Sequence, residues 1–288
     1  MSEKRWTVME LVVWTANYLG EKGFHNPRLN AELLLAGTLG LKRLDLYLQF
    51  DRPLRAEELA EFKARLKRRA KHEPLQYIDG TAAFRDLTLR VDSRVLIPRP
   101  ETEVLVQEVL DWAAARGARS ALDVGTGSGA IALALATEGP FERVVAVDVS
   151  DDALEVARAN AQGAAPGAPV EFRHGSLYDA IQGERFDVVA SNPPYVGLEE
   201  RASLDAEVRG WEPASALFAG AGGLDVIRPL VDQAPRHLNP GGLLAMEIGA
   251  SQAEAVCSII RATGAFAEPR VRRDLSGRDR IVLAELAG

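Results

Sequence analysis

Three glycines fall within five residues in Asp123-Val124-Gly125-Thr126-Gly127-Ser128-Gly129-Ala130, directly behind a short apolar run. Glycine lets the backbone bend tightly and come close to a bound group, and the following helix offers unpaired N–H donors. Asp148 ends the next apolar run, about twenty residues after Gly127, where a carboxylate can accept both hydroxyls of a ribose. This spacing also satisfies the dinucleotide fingerprint, so the loop alone leaves NAD and S-adenosylmethionine open. A glycine turn with no ligand is the plain structural alternative. A second cluster, Ser191-Asn192-Pro193-Pro194-Tyr195, closes another apolar run. Ligands of open α/β sheets sit beyond the carboxyl ends of the strands, which would put this cluster beside whatever Gly125–Gly129 and Asp148 hold. Two prolines cannot extend a strand ladder, so the segment is a rigid corner. It could merely stop a strand, but a proline pair flanked by Asn and Tyr is more than that task needs.

The elements that must position these residues follow from pattern. Apolar residues make up 47% of the 288-residue chain and charged residues 26%, an ordinary globular composition. The net charge is −7, against the basic balance expected of a protein that lives on bulk phosphate neutralisation. One cysteine, Cys257, excludes an internal disulfide framework and a cysteine-based zinc site, and His25, His72, His174 and His237 show no ligand spacing. No apolar run approaches the ~18 residues of a membrane span, and Met1–Arg5 lead into an amphipathic pattern instead of a signal-peptide core. A reduced, cytoplasmic protein is expected.

Residues 1–75 carry a net charge of +4 and the remainder −11. The front part reads as helices: Thr7 and Glu10 form a capping box, Asn26-Pro27 opens a second helix that Gly37 or Gly40 ends, and a third follows Pro53. No strand pattern precedes Asp79. Residues 76–100 are expected to connect the units, with a strand or hairpin over Phe84 to Val91. Beyond residue 100, strands at 120–124, 143–149, 170–173, 186–190 and 243–248 are expected to alternate with helices at 104–115, 130–137, 151–162, 224–238 and 252–263. Such alternation builds a parallel sheet with right-handed crossovers. Arg270–Arg273 and Arg280–Glu285 around Ser276-Gly277 read as a terminal hairpin that adds one antiparallel strand. That hairpin and the proline corner both favour S-adenosylmethionine over NAD.

With these elements in place, the chain resembles class I S-adenosylmethionine-dependent methyltransferases, among which Asn-Pro-Pro-Tyr marks those that methylate a planar amino nitrogen. Within them it is most similar to the peptide chain release factor N5-glutamine methyltransferases of the HemK/PrmC type. The matching segments are Glu73–Ile78 with Gly80, Leu96–Glu103, Asp123–Ala132, Asn192–Tyr195 and Glu212-Pro213 with Ala216–Gly220. Gly223–Asp225, Glu247–Gly249 and Asp274–Arg280 complete the set. The resemblance implies an α/β fold: a Rossmann-like domain with a mostly parallel seven-stranded sheet and a C-terminal antiparallel hairpin over 101–288, a helical substrate-docking domain over 1–75, and a connector over 76–100.

The resemblance also implies roles. Gly125, Thr126, Gly127, Ser128 and Gly129 would lie under the methionine and ribose of S-adenosylmethionine, Asp148 would hold the ribose, and Asn192 would lie near the methyl group. The next contact in the family is an acidic residue followed by an aromatic one, close to the adenine; here Ser176 and Leu177 stand in those places. Asn192, Pro193, Pro194 and Tyr195 would bind the substrate. The Asn192 side-chain oxygen and the Pro193 carbonyl would each accept one amide hydrogen, while Tyr195 packs on the flat amide face. Holding the reactants in line ~3–3.5 Å apart supplies several kcal/mol of orientation. No base or metal enters this chemistry. Arg99 and Glu101 either shape the site or simply start a helix with favourable charge, and Glu247 has no assigned role.

The expected substrate is the glutamine of the Gly-Gly-Gln motif in class 1 peptide chain release factors, methylated by a monomer without nucleic acid or membrane. The basic run Lys63–Lys71 is either a solvated helix face or a docking surface for the acidic partner protein. Methylation of a ribosomal-protein glutamine is the close alternative, adenine-N6 methylation of nucleic acid a more distant one. An NAD oxidoreductase and a non-enzymatic binding module fit less well.

Overall fold

The computed structural model describes residues 5–287, which divide into two compact units. The first runs through Gly80 and takes back the segment Ala206–Trp211. It is helical: α1 (Val8–Glu21), α2 (Pro27–Leu39), α3 (Arg43–Leu48), α4 (Ala56–Arg69) and α5 (Leu75–Asp79). The expected capping box is present, Thr7 N donating to Glu10 at 2.9 Å and Glu10 N to Thr7 Oγ1 at 3.4 Å. Gly40, in the left-handed region at φ 63°, ends α2, whereas Gly37 lies inside it. Leu19, Leu34, Leu46 and Phe62 fill the core between these helices. The sequence pattern ended this unit at residue 75; α5 carries it to Gly80 because Ile78 is buried in the same core. The six-residue α3 was too short to show a period.

The second unit begins with a hairpin, β1 (Thr81–Phe84) and β2 (Leu87–Arg90), followed by α6 (Pro100–Arg116). Then come β3 (Ser120–Val124), α7 (Ala130–Glu138), β4 (Arg143–Asp148), α8 (Asp151–Ala164), β5 (Val170–His174) and β6 (Phe186–Ser191). The short α9 (Ala206–Trp211, packed in the first unit) and α10 (Ala214–Leu217) precede α11 (Ile227–His237) and β7 (Leu238–Glu247). The chain finishes with α12 (Ala253–Ala262), β8 (Arg270–Arg273) and β9 (Asp279–Glu285). The seven-stranded sheet has the order β5-β4-β3-β6-β7-β9-β8, and β9 pairs antiparallel with both neighbours while the other pairs are parallel. This is the expected architecture, with a single antiparallel strand supplied by the terminal hairpin.

Alternate residues of each central strand enter opposite cores. Ala121, Val144 and Ala146 face the layer of α6 and α7, while Leu122, Val145 and Val147 face α11 and α12. Two boundaries differ from expectation. α11 starts at Ile227 instead of Leu224, because Gly222 and Gly223 at φ 71° and 69° hold the preceding turn out of helical geometry. Asn239-Pro240-Gly241-Gly242 does not simply close that helix but lies within β7: Leu238 already pairs with Phe186, and the four residues are taken up in a bulge before Val188 pairs with Leu243. Among the described residues no helix is long and apolar enough to cross a membrane.

Register sets the site. Val124 is level with Val147 on one side and Ser191 on the other, and Ser191 is level with Met246. The residues one step beyond that row are Gly125, Asp148, Asn192 and Glu247.

Candidate active site

A cavity of about 390 Å³ opens beyond this row, within the usual range of small-molecule sites. Gly125, Thr126, Gly127, Ser128 and Asp148 line one side, and Ser176 and Leu177 another. Asn192, Pro193, Pro194 and Thr102 also line the cavity, as do Leu96 and Pro98 from the segment before α6. Two of the expected residues stand elsewhere. Gly129 does not line the cavity; at φ 84° it caps α7, and its missing Cβ would lie 3.3 Å from Ala157 of α8, so this glycine serves helix packing. Tyr195 does not line the cavity either, its ring packed into the core under α11 and α12 and its hydroxyl donating to Glu247 at 3.0 Å.

The glycine loop is held by fixed donors. Gly125 N and Thr126 N both donate to the Val147 carbonyl, at 2.8 and 3.0 Å. Gly127 N donates to one Asp148 oxygen at 2.8 Å, and Ser150 N to the other at 2.9 Å. Asp148 thus ties two strand ends together and keeps further lone pairs for the cavity. Gly125 and Gly127 have positive φ and open space where a Cβ would stand, which leaves bare backbone for a ligand. Asn160 fixes the loop from behind, bridging the Ser128 carbonyl at 2.9 Å to both backbone groups of Arg90. Leu177 takes the left-handed conformation at φ 49°, uncommon for a branched side chain and found here at the cavity edge.

Below the loop, Asp123 is fully buried and accepts from Thr126 Oγ1 at 2.7 Å and Ala132 N at 3.1 Å. Its other oxygen has no partner among the described residues. Burial pushes this carboxyl up to about 7, with the two hydrogen bonds pulling it back and Asp148 adding to the rise.

The proline corner is clamped from several directions. Ser191 Oγ donates to the Val124 carbonyl at 2.7 Å. Gln252 Nε2 donates to the Tyr195 carbonyl at 2.9 Å and to Gly222 at 3.0 Å, while its oxygen accepts from Gly249 N at 2.8 Å. Val196 exchanges backbone hydrogen bonds with Leu217 and Ala219. Asn192 Nδ2 donates to Thr102 Oγ1 at 3.1 Å, and Thr102 donates in turn to Glu247 at 2.6 Å. Burial raises the Glu247 carboxyl above its ordinary range, opposed by the Thr102 and Tyr195 hydroxyls and the Arg280 charge and aided by Glu101. The Tyr195 hydroxyl is raised by burial and then by Glu247. Arg99, left open by sequence, pairs with buried Glu212 at 2.6 Å.

Thr102 and Asp123 stand inside sequence motifs that do not reveal their roles, and no motif marks Gln252. The basic run also differs from its simplest reading. Arg69 is buried, donating to Asn30 and the Glu73 carbonyl at 2.8 Å and pairing with Glu207. Arg68 pairs with Glu73 and Arg65 with Asp79, so among the described residues Lys63, Lys67 and Lys71 are the cations of the run that are exposed and make no ion pair.

The residues fit S-adenosylmethionine: bare glycine backbone, a carboxylate at the end of β4 and apolar side chains beyond it suit a ribose, a sulfonium and a flat base. Together with the strand order, they define a class I S-adenosylmethionine-dependent methyltransferase. A family described as the PrmC N-terminal domain matches residues 10–80, and the methyltransferase small domain matches residues 100–207. The chain is 46% identical to the release factor glutamine methyltransferase of Geobacter sulfurreducens over 98% of both chains. It is 43% identical to that of Chlorobaculum tepidum, over 96% of this chain and 97% of the relative. The chain therefore belongs to the release factor glutamine methyltransferase family. Among solved structures, a Pyrococcus furiosus methyltransferase aligns over 81% of this chain and all of its own, with a TM-score of 0.54 and 20% identity. The fold is the same.

Two outcomes follow from this geometry. A Cβ on Gly223 would lie 2.0 Å from the Tyr195 carbonyl, at a φ of +69°. Gly223→Ala should therefore displace the corner and lower kcat by roughly 10²-fold, with the cofactor Kd little changed. Unchanged turnover would refute the clamp. Asp123 has a folded pKa above its unfolded value, so its contribution to stability is complete below about pH 4 and lost as pH rises through about 7. That rise corresponds to about 4 kcal/mol. Denaturation of the ligand-free protein should show Asp123→Asn losing less stability over that window than the wild type; parallel curves would contradict the burial argument.

Proposed function

We propose that this enzyme transfers the methyl group of S-adenosylmethionine to the side-chain amide nitrogen of the glutamine in the Gly-Gly-Gln motif of class 1 peptide chain release factors. One observation carries the reading: Asn192 and Pro193 line the same cavity as Gly125–Ser128 and Asp148, in a chain whose full-length relatives bear that name. An amide nitrogen is a poor nucleophile because its lone pair is delocalised into the carbonyl. Two acceptors facing its hydrogens hold the NH₂ in a fixed plane and polarise both N–H bonds. The Asn192 oxygen is one, since its nitrogen is engaged by Thr102, and the Pro193 carbonyl is the other. Bound S-adenosylmethionine supplies an electrophilic sulfonium methyl and leaves as the thioether. The glutamine nitrogen gains that methyl and loses one proton to water as the product forms. Substrates without an NH₂ leave the two acceptors unpaired, at about 1–3 kcal/mol each.

Gly125–Ser128 and Asp148 bind the cofactor, with Ser176 and Leu177 at the adenine. Tyr195 acts from outside the cavity lining, holding the corner's shape and leaving the amide face to other groups. The enzyme works as a monomer in the cytoplasm, on protein and not on nucleic acid or membrane. Lys63, Lys67 and Lys71 on the helical unit steer the acidic partner.

Incubation with radiolabelled S-adenosylmethionine and release factor, ribosomal proteins or DNA tests the reading. Label should enter the release factor and vanish when its Gly-Gly-Gln glutamine is replaced. Label in ribosomal protein or DNA alone would overturn it. Asn192→Ala should keep cofactor affinity within a few fold while kcat falls by about 10²-fold or more. Reversal of Lys63, Lys67 and Lys71 to Glu should raise the KM for release factor, most strongly at low salt, and leave the cofactor Kd unchanged. An unchanged KM would remove the steering role.

A further inference from the structure

Asn192 can only accept from a substrate NH₂ if its own oxygen faces the cavity. A carboxamide has nearly the same shape either way round, so packing alone does not choose between its two ends. The choice has to come from hydrogen-bond polarity, and the structure contains a chain that sets it. Glu247, 1% exposed at the end of β7, accepts on both oxygens: from Thr102 at 2.6 Å and from Tyr195 at 3.0 Å. Ionised, the state that the Thr102 and Tyr195 hydroxyls and the Arg280 charge favour against burial, this carboxylate has no hydrogen to give. Thr102 has one, and it is spent on Glu247. Toward Asn192, 3.1 Å away, the Thr102 oxygen can therefore only accept. The Asn192 nitrogen must point to Thr102 and its oxygen away. With the amide reversed, two acceptor oxygens would meet at Thr102, and the NH₂ of Asn192 would confront the NH₂ of the substrate.

We infer that Glu247 is a positioning residue for methyl transfer, acting through Thr102 to fix which end of the Asn192 carboxamide faces the substrate. The inference rests on the reading of Asn192 as an amide acceptor. Leucine at position 247 would have no accepting oxygen. That frees the Thr102 hydroxyl to donate to Asn192 and turns the amide round. Valine at position 102 keeps the shape and removes the link; serine keeps the link.

The test compares full-length wild type, Thr102→Val, Thr102→Ser, Glu247→Leu and Asn192→Ala, with labelled S-adenosylmethionine and release factor. Thr102→Val and Glu247→Leu should lower kcat about 10- to 100-fold, the effect of one misdirected hydrogen bond, with cofactor Kd and release-factor KM within about twofold of wild type. Thr102→Ser should return kcat to within about threefold of wild type. A purely structural role would not distinguish serine from valine in kcat alone. Glu247→Leu removes both accepting oxygens at similar volume and frees the Thr102 hydrogen for Asn192, so it carries the test where Thr102→Val does not fold. Wild-type kcat in either Thr102→Val or Glu247→Leu, or a Thr102→Ser enzyme as slow as Thr102→Val, overturns the inference while Asn192→Ala remains inactive. Full turnover by Asn192→Ala overturns the acceptor reading itself, and with it this one.

Discussion

The site depends on the register of four parallel strands. Because Val124, Val147, Ser191 and Met246 stand level across the sheet, the residues that step off its edge are Gly125, Asp148, Asn192 and Glu247. A slip of one residue in any strand would exchange its two faces and move its last side chain out of the row. The alternation of Leu122, Val145 and Val147 into one core with Ala121, Val144 and Ala146 into the other resists such a slip. Packing far from the chemistry therefore sets the spacing between the loop that takes the cofactor and the corner that takes the amide.

Part of this was readable from sequence because the relevant residues interrupt a period. Glycines in the loop, the acid at the end of β4 and the paired prolines each carry positional meaning that a hydrophobic strand lacks. The strand–helix alternation was readable for the same reason, and the single antiparallel strand followed from the turn at Ser276-Gly277. What could not be read depends on contacts through space. Thr102 and Glu247 are separated by 145 positions, and nothing in their neighbours says that a hydroxyl of α6 meets a carboxylate of β7. Gly129 shows the converse limit. It belongs to the same motif as Gly125 and Gly127, yet its missing side chain makes room for Ala157 instead of a ligand. Tyr195 likewise shares the corner's motif while its hydroxyl is directed into the core.

Two carboxylates are buried, Asp123 in β3 and Glu247 at the end of β7, and burial raises both. Among the described residues neither forms a direct salt bridge, and each is met by hydroxyl or backbone donors. Burying a charge this way costs stability. A core built only to be stable would favour an apolar residue or a neutral amide at such positions. A carboxylate differs from an amide in accepting on both oxygens and donating on neither, so it can impose one direction on a chain of hydroxyls. That property is of use where a downstream group must present an acceptor and not a donor, which is the situation of Asn192.

The basic helix α4 separates arginine from lysine in a related way. Its guanidinium groups turn to acceptors within the helical unit: Arg69 to Asn30, Glu73 and Glu207, Arg68 to Glu73, Arg65 to Asp79. A planar fork with several fixed donors can satisfy grouped acceptors that a single ammonium cannot. Lys63, Lys67 and Lys71 remain at the surface. Exposed ammonium groups attract at a distance, are screened by salt and contribute to the rate of encounter more than to the lifetime of a complex. The local density of positive charge in the sequence therefore overstates what the helix offers a partner. The arginines of α4 hold the unit together, while Lys63 and Lys67 of α4 and Lys71 just beyond it are placed to act outward.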